Sequence, residues 1–163
     1  MSARENRSPV NGCLPVGGML VIWLSYGGRS MEKKFKRSFA EIRNIVSMTA
    51  DFFAQESLDN ALRNTVDLAT EELFVNMVTY NTETESDILI EMQRANEGIE
   101  VSLTDYGVDR FDPTKVTSPD MEVPLNEREP GGLGLYLVLK MVDSIHYEYH
   151  DRTSKITFRQ GAA

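Results

Sequence analysis

The sequence predicts an α+β domain in which helices pack on one face of a mixed, mainly antiparallel sheet. Two amphipathic helical segments come first along the chain, and two pairs of alternating apolar and polar segments joined by turn residues follow. Helices that are grouped apart from hairpins are typical of this class. A chain of 163 residues, 41% of them hydrophobic, has room for one such domain with a buried core.

The first predicted helix begins at a capping sequence. Ser38 is followed three residues later by Glu41, the pattern in which each of two side chains accepts a hydrogen bond from the other residue's backbone amide. Apolar residues at steps of three and four then predict a buried helical face that ends near Gln55. The residues of this face are Phe39, Ile42, Ile45, Val46, Thr49, Phe52 and Phe53.

A second helix, capped by Ser57 or Asp59, is expected to run to about Tyr80. Its apolar face includes Ala61, Leu62, Thr65, Leu68, Ala69 and Leu73, and it continues to Asn76. Glu72 and Asn76 are four residues apart, so both project from one side of the helix. Two such oxygen ligands can hold a hydrated Mg²⁺ or orient a hydroxyl group. Taken alone, the pair is better explained by a solvated glutamate and an asparagine at a frayed helix end.

Two β-hairpins are predicted in the second half of the chain. In the first, alternating residues 88–93 and 99–104 flank a turn at 96–98, and in the second, residues 145–149 and 156–158 flank a turn at 151–154. Residues 105–132 read as a long loop, and a loop of that length inside a compact domain is usually functional or disordered. Helical spacing returns over residues 133–142.

Two further clusters contain residues that could bind a ligand. Asp105 follows the 99–104 strand and precedes Gly107; an aspartate there can accept a hydrogen bond from an exocyclic amine such as that of adenine, and the glycine lets a flat ring approach the backbone. Gly132 and Gly134 lie in a glycine-rich stretch that opens into a helix, where free amides attract anions. An ordinary turn and a helix-packing glycine would give the same patterns.

The three clusters occur in the order Glu-x-x-x-Asn, Asp-x-Gly and Gly-Gly-x-Gly-Leu. In this order they resemble the N, G1 and G2 boxes of the GHKL superfamily of ATPases and kinases. Within that superfamily the sequence resembles the anti-sigma factor serine/threonine kinases of bacterial partner-switching systems. The resemblance extends from about Phe35 to Phe158 and so covers essentially the whole domain.

The resemblance implies a Bergerat-type α/β sandwich that binds ATP and Mg²⁺. Glu72 would be the general base that accepts the proton of a substrate serine or threonine, and Asn76 would be the Mg²⁺ ligand. Asp105 would recognise adenine. Four other residues would contact the nucleotide: Gly107, Gly132 and Gly134 at the purine and phosphates, and Arg128 at the γ-phosphate, although a solvated loop arginine is an equal explanation for Arg128.

The resemblance also implies an activity and partners. The chain would sequester a sigma factor, phosphorylate a STAS-type antagonist and form a homodimer. A nucleotide-binding regulatory module without kinase activity is the alternative. The catalytic domain of a sensor histidine kinase is a weaker interpretation, because the only histidines, His146 and His150, both lie in the last hairpin.

The chain departs from the superfamily pattern at two positions. Asp109 stands where many members have a second glycine after the G1 aspartate, a change that is frequent in the anti-sigma branch. Tyr80 stands where a histidine often follows the helix asparagine by four residues. The second change affects residues near the proposed catalytic base, so it bears on kinase activity rather than on ATP binding.

Charge and cysteine content limit the other possibilities. With 25 acidic and 17 basic residues the net charge is −8, which repels nucleic acid and anionic lipid. Cys13 is the only cysteine, so neither an intramolecular disulfide nor structural zinc is expected, in keeping with a cytoplasmic protein.

The N-terminal residues form a separate segment. The apolar run Leu14–Leu24 has 11 residues, whereas a membrane span needs about 20. We therefore expect no membrane attachment. Residues 1–30 are interpreted as an extension, disordered or preceding the true start, and residues 31–160 as the ATPase-like domain.

Overall fold

The computed structural model describes residues 30–96, 98–115 and 132–161 of the chain. In these ranges the chain forms five β-strands and three α-helices. The strands are β1 (Ser30–Phe35), β2 (Ile88–Ala95), β3 (Gly98–Tyr106), β4 (Ser144–His150) and β5 (Thr153–Gln160), and the helices are α1 (Ile42–Glu56), α2 (Arg63–Tyr80) and α3 (Gly132–Met141). Arg128 lies outside the described residues.

The five strands form one sheet in the order β1-β2-β3-β5-β4. The prediction allowed for a mixed sheet, but all four neighbouring pairs in the described part of the chain are antiparallel. β3 is the central strand, and its residues from Gly98 to Asp105 are all buried. The predicted α+β class is confirmed.

β1 is a strand that the sequence pattern did not reveal. Its middle residues Glu32, Lys33 and Lys34 are all charged, so no alternation of apolar and polar residues marks it. Within the described residues the strand pairs with β2 alone, at the edge of the sheet, where charged side chains also hinder pairing with another chain. The predicted domain start at residue 31 falls inside this strand.

The helices and one face of the sheet enclose the core. Buried side chains alternate along β2 and β5 and are joined by those of all three helices. The largest fully buried residues include Phe35, Phe52, Phe74, Phe158, Ile45 and Leu73. The opposite face of the sheet is polar: there the hydroxyl groups of Ser102 and Thr157 lie 2.9 Å apart on neighbouring strands. Among the described residues, none of the helices has the length and apolar character needed to cross a bilayer.

The start of the first helix differs in part from the prediction. Ser38 accepts a hydrogen bond from the backbone amide of Ala40 (3.3 Å) and opens a short 3-10 turn, Phe39–Glu41, ahead of α1. Glu41 does not complete the capping box, because its carboxylate accepts a hydrogen bond from Asn44 (2.7 Å). Phe39, which the periodicity placed in the core, is 56% exposed.

Of the two residues predicted to cap the second helical segment, Asp59 is the cap and Ser57 is not. Ser57 ends α1 in the left-handed conformation with φ 52°. Asp59 caps the following turn by accepting a hydrogen bond from the amide of Ala61 (2.9 Å).

The buried face of α2 is rotated from the predicted one. It consists of Val66, Ala69, Thr70, Leu73, Phe74 and Met77, whereas Leu68 is exposed. Glu72 and Asn76 lie at the border of this face and are half-buried. This position at the border leaves both side chains beside the core but within reach of solvent.

Candidate functional site

A cleft lies where α2, α3, β5 and the loop after β3 meet. It contains about 400 Å³ of space, part of it open to solvent. The lining is mainly apolar with a few polar groups, which is typical of small-molecule sites. The lining residues are Leu73, Asn76, Met77, Tyr80, Asn81, Asp109, Phe111, Pro113, Leu135, Ser154 and Ile156.

Asn76 faces this cleft from within α2. The helix continues to Tyr80, so the interpretation of Asn76 as a residue at a frayed helix end is wrong. Its side-chain Nδ2 donates a hydrogen bond to the backbone carbonyl of Glu72 (2.6 Å). Because Nδ2 is held in this way, the amide presents Oδ1 as its acceptor.

The donor set suits a cation that arrives with a ligand. The described residues contain no group of three or more histidine, cysteine, aspartate or glutamate side chains able to hold a metal ion. Mg²⁺ commonly uses only one or two protein oxygens and takes its other ligands from phosphates and water. A single oxygen from Asn76 therefore fits a nucleotide-bound Mg²⁺ better than a permanent metal site.

Glu72 lies one helical turn before Asn76, at the contact between α2 and α3. Its half-buried carboxylate packs against Gly134, where an added β-carbon would lie 2.5 Å from Cδ of Glu72 and 3.0 Å from Oε1. Burial raises the pKa of Glu72, and the neighbouring Glu71 raises it further. A carboxylate with a raised pKa is a stronger base than an ordinary glutamate, as proton abstraction from a hydroxyl requires.

Asp105 lies at the end of β3, behind the cleft. Its side chain is fully buried and forms an ion pair with Nη2 of Arg37 through Oδ1. The other carboxylate oxygen accepts a hydrogen bond from Nδ2 of Asn81 (2.7 Å). The residue is not part of the cleft lining. Asn81 does line the cleft, so its hydrogen bond connects the cleft to Asp105, the residue predicted to recognise the base.

Arg37 is a site residue that the sequence analysis missed. In addition to Asp105, it binds two backbone carbonyls at the end of α2, those of Met77 (2.9 Å) and Asn81 (3.3 Å). Burial lowers the pKa of Arg37, and Glu83 opposes that effect. A buried carboxylate requires a partner, and that requirement was the only available signal. It could not choose among 17 lysines and arginines.

The loop after β3 has its own set of contacts. Gly107 has φ +74°, a conformation that favours glycine. The amide of Asp109 donates to the carboxylate of Glu83 (2.7 Å). Arg152, in the turn between β4 and β5, donates to the Asp109 carboxylate and to the Gly107 carbonyl (2.7 Å each). The charge that Asp109 brings in place of a glycine is therefore balanced by Arg152.

The structure brings the predicted site residues together at one end of the sheet. Glu72, Asn76 and Gly134 lie along the contact of α2 with α3, and Gly132 is the first residue of α3. Asp105 and Gly107 lie at the end of β3 and in the loop that follows.

A family model described as the histidine kinase-like ATPase domain matches residues 35–160. The chain belongs to this family. The predicted GHKL membership is confirmed, and the family makes the chain an ATP-binding module of the ATPase type. No curated protein sequence matches the chain.

A solved structure supports the fold of this family member. It contains the RsbU and RsbW domains of Rv1364c from Mycobacterium tuberculosis and superposes with a TM-score of 0.59 at 12% sequence identity. The match covers 82% of this chain and 32% of that one. The chain therefore spans about a third of the matched protein, and the likeness concerns the fold alone.

Proposed function

We propose that the chain is an ATP-dependent anti-sigma factor that is also a protein serine/threonine kinase, acting on a STAS-type antagonist. The observation that carries this proposal is the position of Glu72. In an ATPase-family domain, a carboxylate with a raised pKa lies one turn from the cleft residue Asn76 and against the first turn of α3. A module that only binds nucleotide has no need of a base at this position.

The proposed reaction assigns a task to each of these residues. The hydroxyl oxygen of the substrate attacks the γ-phosphorus of ATP, the bond to the β,γ-bridging oxygen breaks, and the hydroxyl proton passes to Glu72. Asn76 would hold Mg²⁺, which when bound neutralises charge on the phosphates. Phosphoryl transfer depends on such positioning and charge stabilisation more than on covalent help.

The remaining nucleotide contacts are proposals of the same kind. The base would occupy the end of the cleft near Tyr80 and Asn81, with Asp105 as acceptor for the adenine amine. Each carboxylate oxygen has more than one lone pair, so Asp105 can accept another hydrogen bond beyond those from Arg37 and Asn81. Backbone amides at Gly132 and Gly107 would approach the phosphates and purine, and Arg128 would neutralise the γ-phosphate.

The partner proposal rests on the charge of the chain. The net charge of −8 favours basic partners, among which DNA-contacting regions of a sigma factor are suitable. We expect a homodimer in the cytoplasm, without direct binding to nucleic acid or membrane. The alternative, a nucleotide-binding module without kinase activity, is favoured by Tyr80, which replaces a histidine found in many relatives.

Two measurements test the proposed function: which proteins the chain retains, and whether it transfers phosphate to them. Immobilised protein loaded with ATP or with ADP is exposed to lysate of the native bacterium, and the retained proteins are identified by mass spectrometry. A sigma factor retained with ATP, and a STAS-domain protein that becomes labelled from γ-labelled ATP, are expected. Retention of a sigma factor without labelling would establish the alternative, and recovery of neither class would refute the partner-switching proposal.

Asn76→Ala is expected to weaken Mg²⁺-ATP binding by about tenfold or more, since even indirect supports of a metal ligand contribute that much. Calorimetry with Mg²⁺ and with EDTA measures the effect. Removing Mg²⁺ should bring the wild-type protein close to the variant, because both then lack the same bond.

Asn44→Ala provides the matched control for this measurement. Asn44 is an exposed asparagine of α1 whose side chain donates a hydrogen bond to the nearby Glu41. It should bind Mg²⁺-ATP as the wild-type protein does. Equal affinities for wild type and Asn76→Ala would contradict the assignment of Asn76 as a metal ligand.

A further inference from the structure

α3 packs closely against a side chain of α2 at Gly134. An added β-carbon there would overlap Oε2 of Glu72 and lie 2.5 Å from its Cδ. Gly134 is not among the glycines with positive φ in the described ranges, where Gly107 is the one recorded. The backbone conformation therefore does not require glycine at this position, whereas the space taken by Glu72 does.

A glycine inside a helix has a cost that needs an explanation. Replacing alanine by glycine in a helix interior destabilises a protein by roughly 0.5–1 kcal/mol. Gly134 lies in the first turn of α3, as its third residue, where this cost is at most that of an interior position, and its neighbour Leu135 is 2% exposed and part of the core. The volume that an alanine methyl would fill is already occupied by the carboxylate of Glu72. The glycine therefore provides the space in which this carboxylate packs.

We infer that Gly134 is a positioning residue for Glu72. It lets the carboxylate lie against the first turn of α3, beside the cleft residue Asn76. The resemblance to GHKL proteins assigned Gly134 to nucleotide contacts. The direction in which a β-carbon would project from this residue, however, faces α2 and not open space. This inference rests on the proposed function of Glu72 and extends it to the residue that fixes its location.

The consequence of adding a methyl group follows from what it would strike. The overlapping atoms belong to the far end of a flexible side chain and not to the backbone, so the fold can persist while the carboxylate moves away. A displacement of about 1 Å of a catalytic group can reduce a rate by about a hundredfold. Gly134→Ala should therefore impair proton transfer without removing the base itself.

A double-mutant cycle tests the contact independently of any catalytic activity. The urea midpoint of unfolding is measured for wild type, Gly134→Ala, Glu72→Ala and the double variant. In the Glu72→Ala background the added methyl group meets no carboxylate, so it should raise the midpoint through helix propensity. In the wild-type background it should lower the midpoint or leave it unchanged. The same shift in both backgrounds would overturn the inference.

Kinetics then separate positioning from nucleotide contact. For Gly134→Ala we expect about a hundredfold lower kcat for phosphoryl transfer from ATP, with little change in the Kd for ATP by calorimetry. A fall in ATP affinity that accounts for the lost activity would overturn the inference and return Gly134 to the phosphates. If the wild-type chain transfers no phosphoryl group, the proposed function fails, while the unfolding cycle still decides whether Gly134 makes room for Glu72.

A second glycine serves as the matched control. An added β-carbon at Gly161 would lie 3.5 Å from Oδ2 of Asp143, an ordinary van der Waals distance, and it would meet no atom of Glu72. Gly161→Ala should shift the urea midpoint equally in the wild-type and Glu72→Ala backgrounds. A dependence on Glu72 at Gly161 as well would show that the cycle does not report the α2–α3 contact, and would overturn the inference drawn from it.

Discussion

We expect Glu72→Gln to lower phosphoryl transfer to a protein substrate by about a hundredfold or more, because glutamine cannot accept the proton that the proposed reaction passes to Glu72. ATP binding stays close to that of the wild type, since the two side chains have the same shape and glutamine keeps the packing against Gly134. Single-turnover transfer from γ-labelled ATP, together with calorimetric titration of ATP, measures the two effects separately. Transfer by Glu72→Gln at the wild-type rate would exclude Glu72 as the base.

Glu71→Gln is the control for that experiment. Glu71 precedes Glu72 on α2, so it projects in a different direction and should not take part in proton transfer. Its charge does raise the pKa of Glu72, although less than burial does. A base works when deprotonated, so the raised pKa places the acidic limb of the wild-type rate profile at a higher pH than an unperturbed glutamate would. Glu71→Gln should keep the activity and move this limb to lower pH.

Asp105→Asn is expected to reduce the free energy of unfolding by about 3–5 kcal/mol, the usual effect of removing one partner of a buried ion pair. The amide removes the carboxylate charge that pairs directly with Arg37, and it turns one donor group toward a neighbour that also donates. The expected magnitude depends on burial, which is complete for the Asp105 side chain and nearly so for that of Arg37. Urea unfolding measures it, and calorimetry should show weaker ATP binding as well.

An exposed pair of the same kind supplies the comparison. Asp109 is also paired with an arginine, Arg152, but its side chain is 79% exposed. Exposed ion pairs contribute about 1 kcal/mol or less, so Asp109→Asn should destabilise the protein far less than Asp105→Asn. Similar losses in the two variants would show that the Asp105 pair is not shielded from water as the structure indicates.

Stability and base recognition at Asp105 can be separated. Buried ion pairs can often be replaced by apolar side chains of similar volume without loss of stability. The double variant Arg37→Met/Asp105→Leu should therefore recover much of the unfolding free energy while still binding ATP weakly. Wild-type ATP affinity in this variant would mean that Asp105 supports the fold and does not contact adenine.

Much of the fold could be predicted from local patterns. The helices and both hairpins have clear apolar periodicities, and the turn predicted at residues 96–98 begins with Asn96 in the left-handed conformation, with φ 52°. β1 could not be found in this way, because a charged edge strand is recognised by its partner strand and not by its own sequence. The capping sequence at Ser38 was half correct, because Glu41 found a nearer donor in Asn44.

The site residues show the same difference: those placed by local spacing could be predicted, and those placed by contacts between distant segments could not. Glu72 and Asn76 were found because helical spacing places them together. Arg37 was missed because its carboxylate partner is 68 residues away in the sequence, and Arg152 was missed for a similar reason, since its partner Asp109 is 43 residues away. Contacts between remote segments leave no signature in a single sequence.

The contacts of Arg37 also indicate at which stage of folding the cleft forms. They join the end of β1 to carbonyls 40 and 44 residues later and to a carboxylate 68 residues later, and Ser154 and Ile156 of the last strand complete the lining. Closing loops of this length is entropically costly and tends to be late in folding. During synthesis, a nascent chain must therefore release nearly its entire domain from the ribosome before a nucleotide can bind. Ligand binding would thus stabilise only the finished fold and none of its partly made precursors.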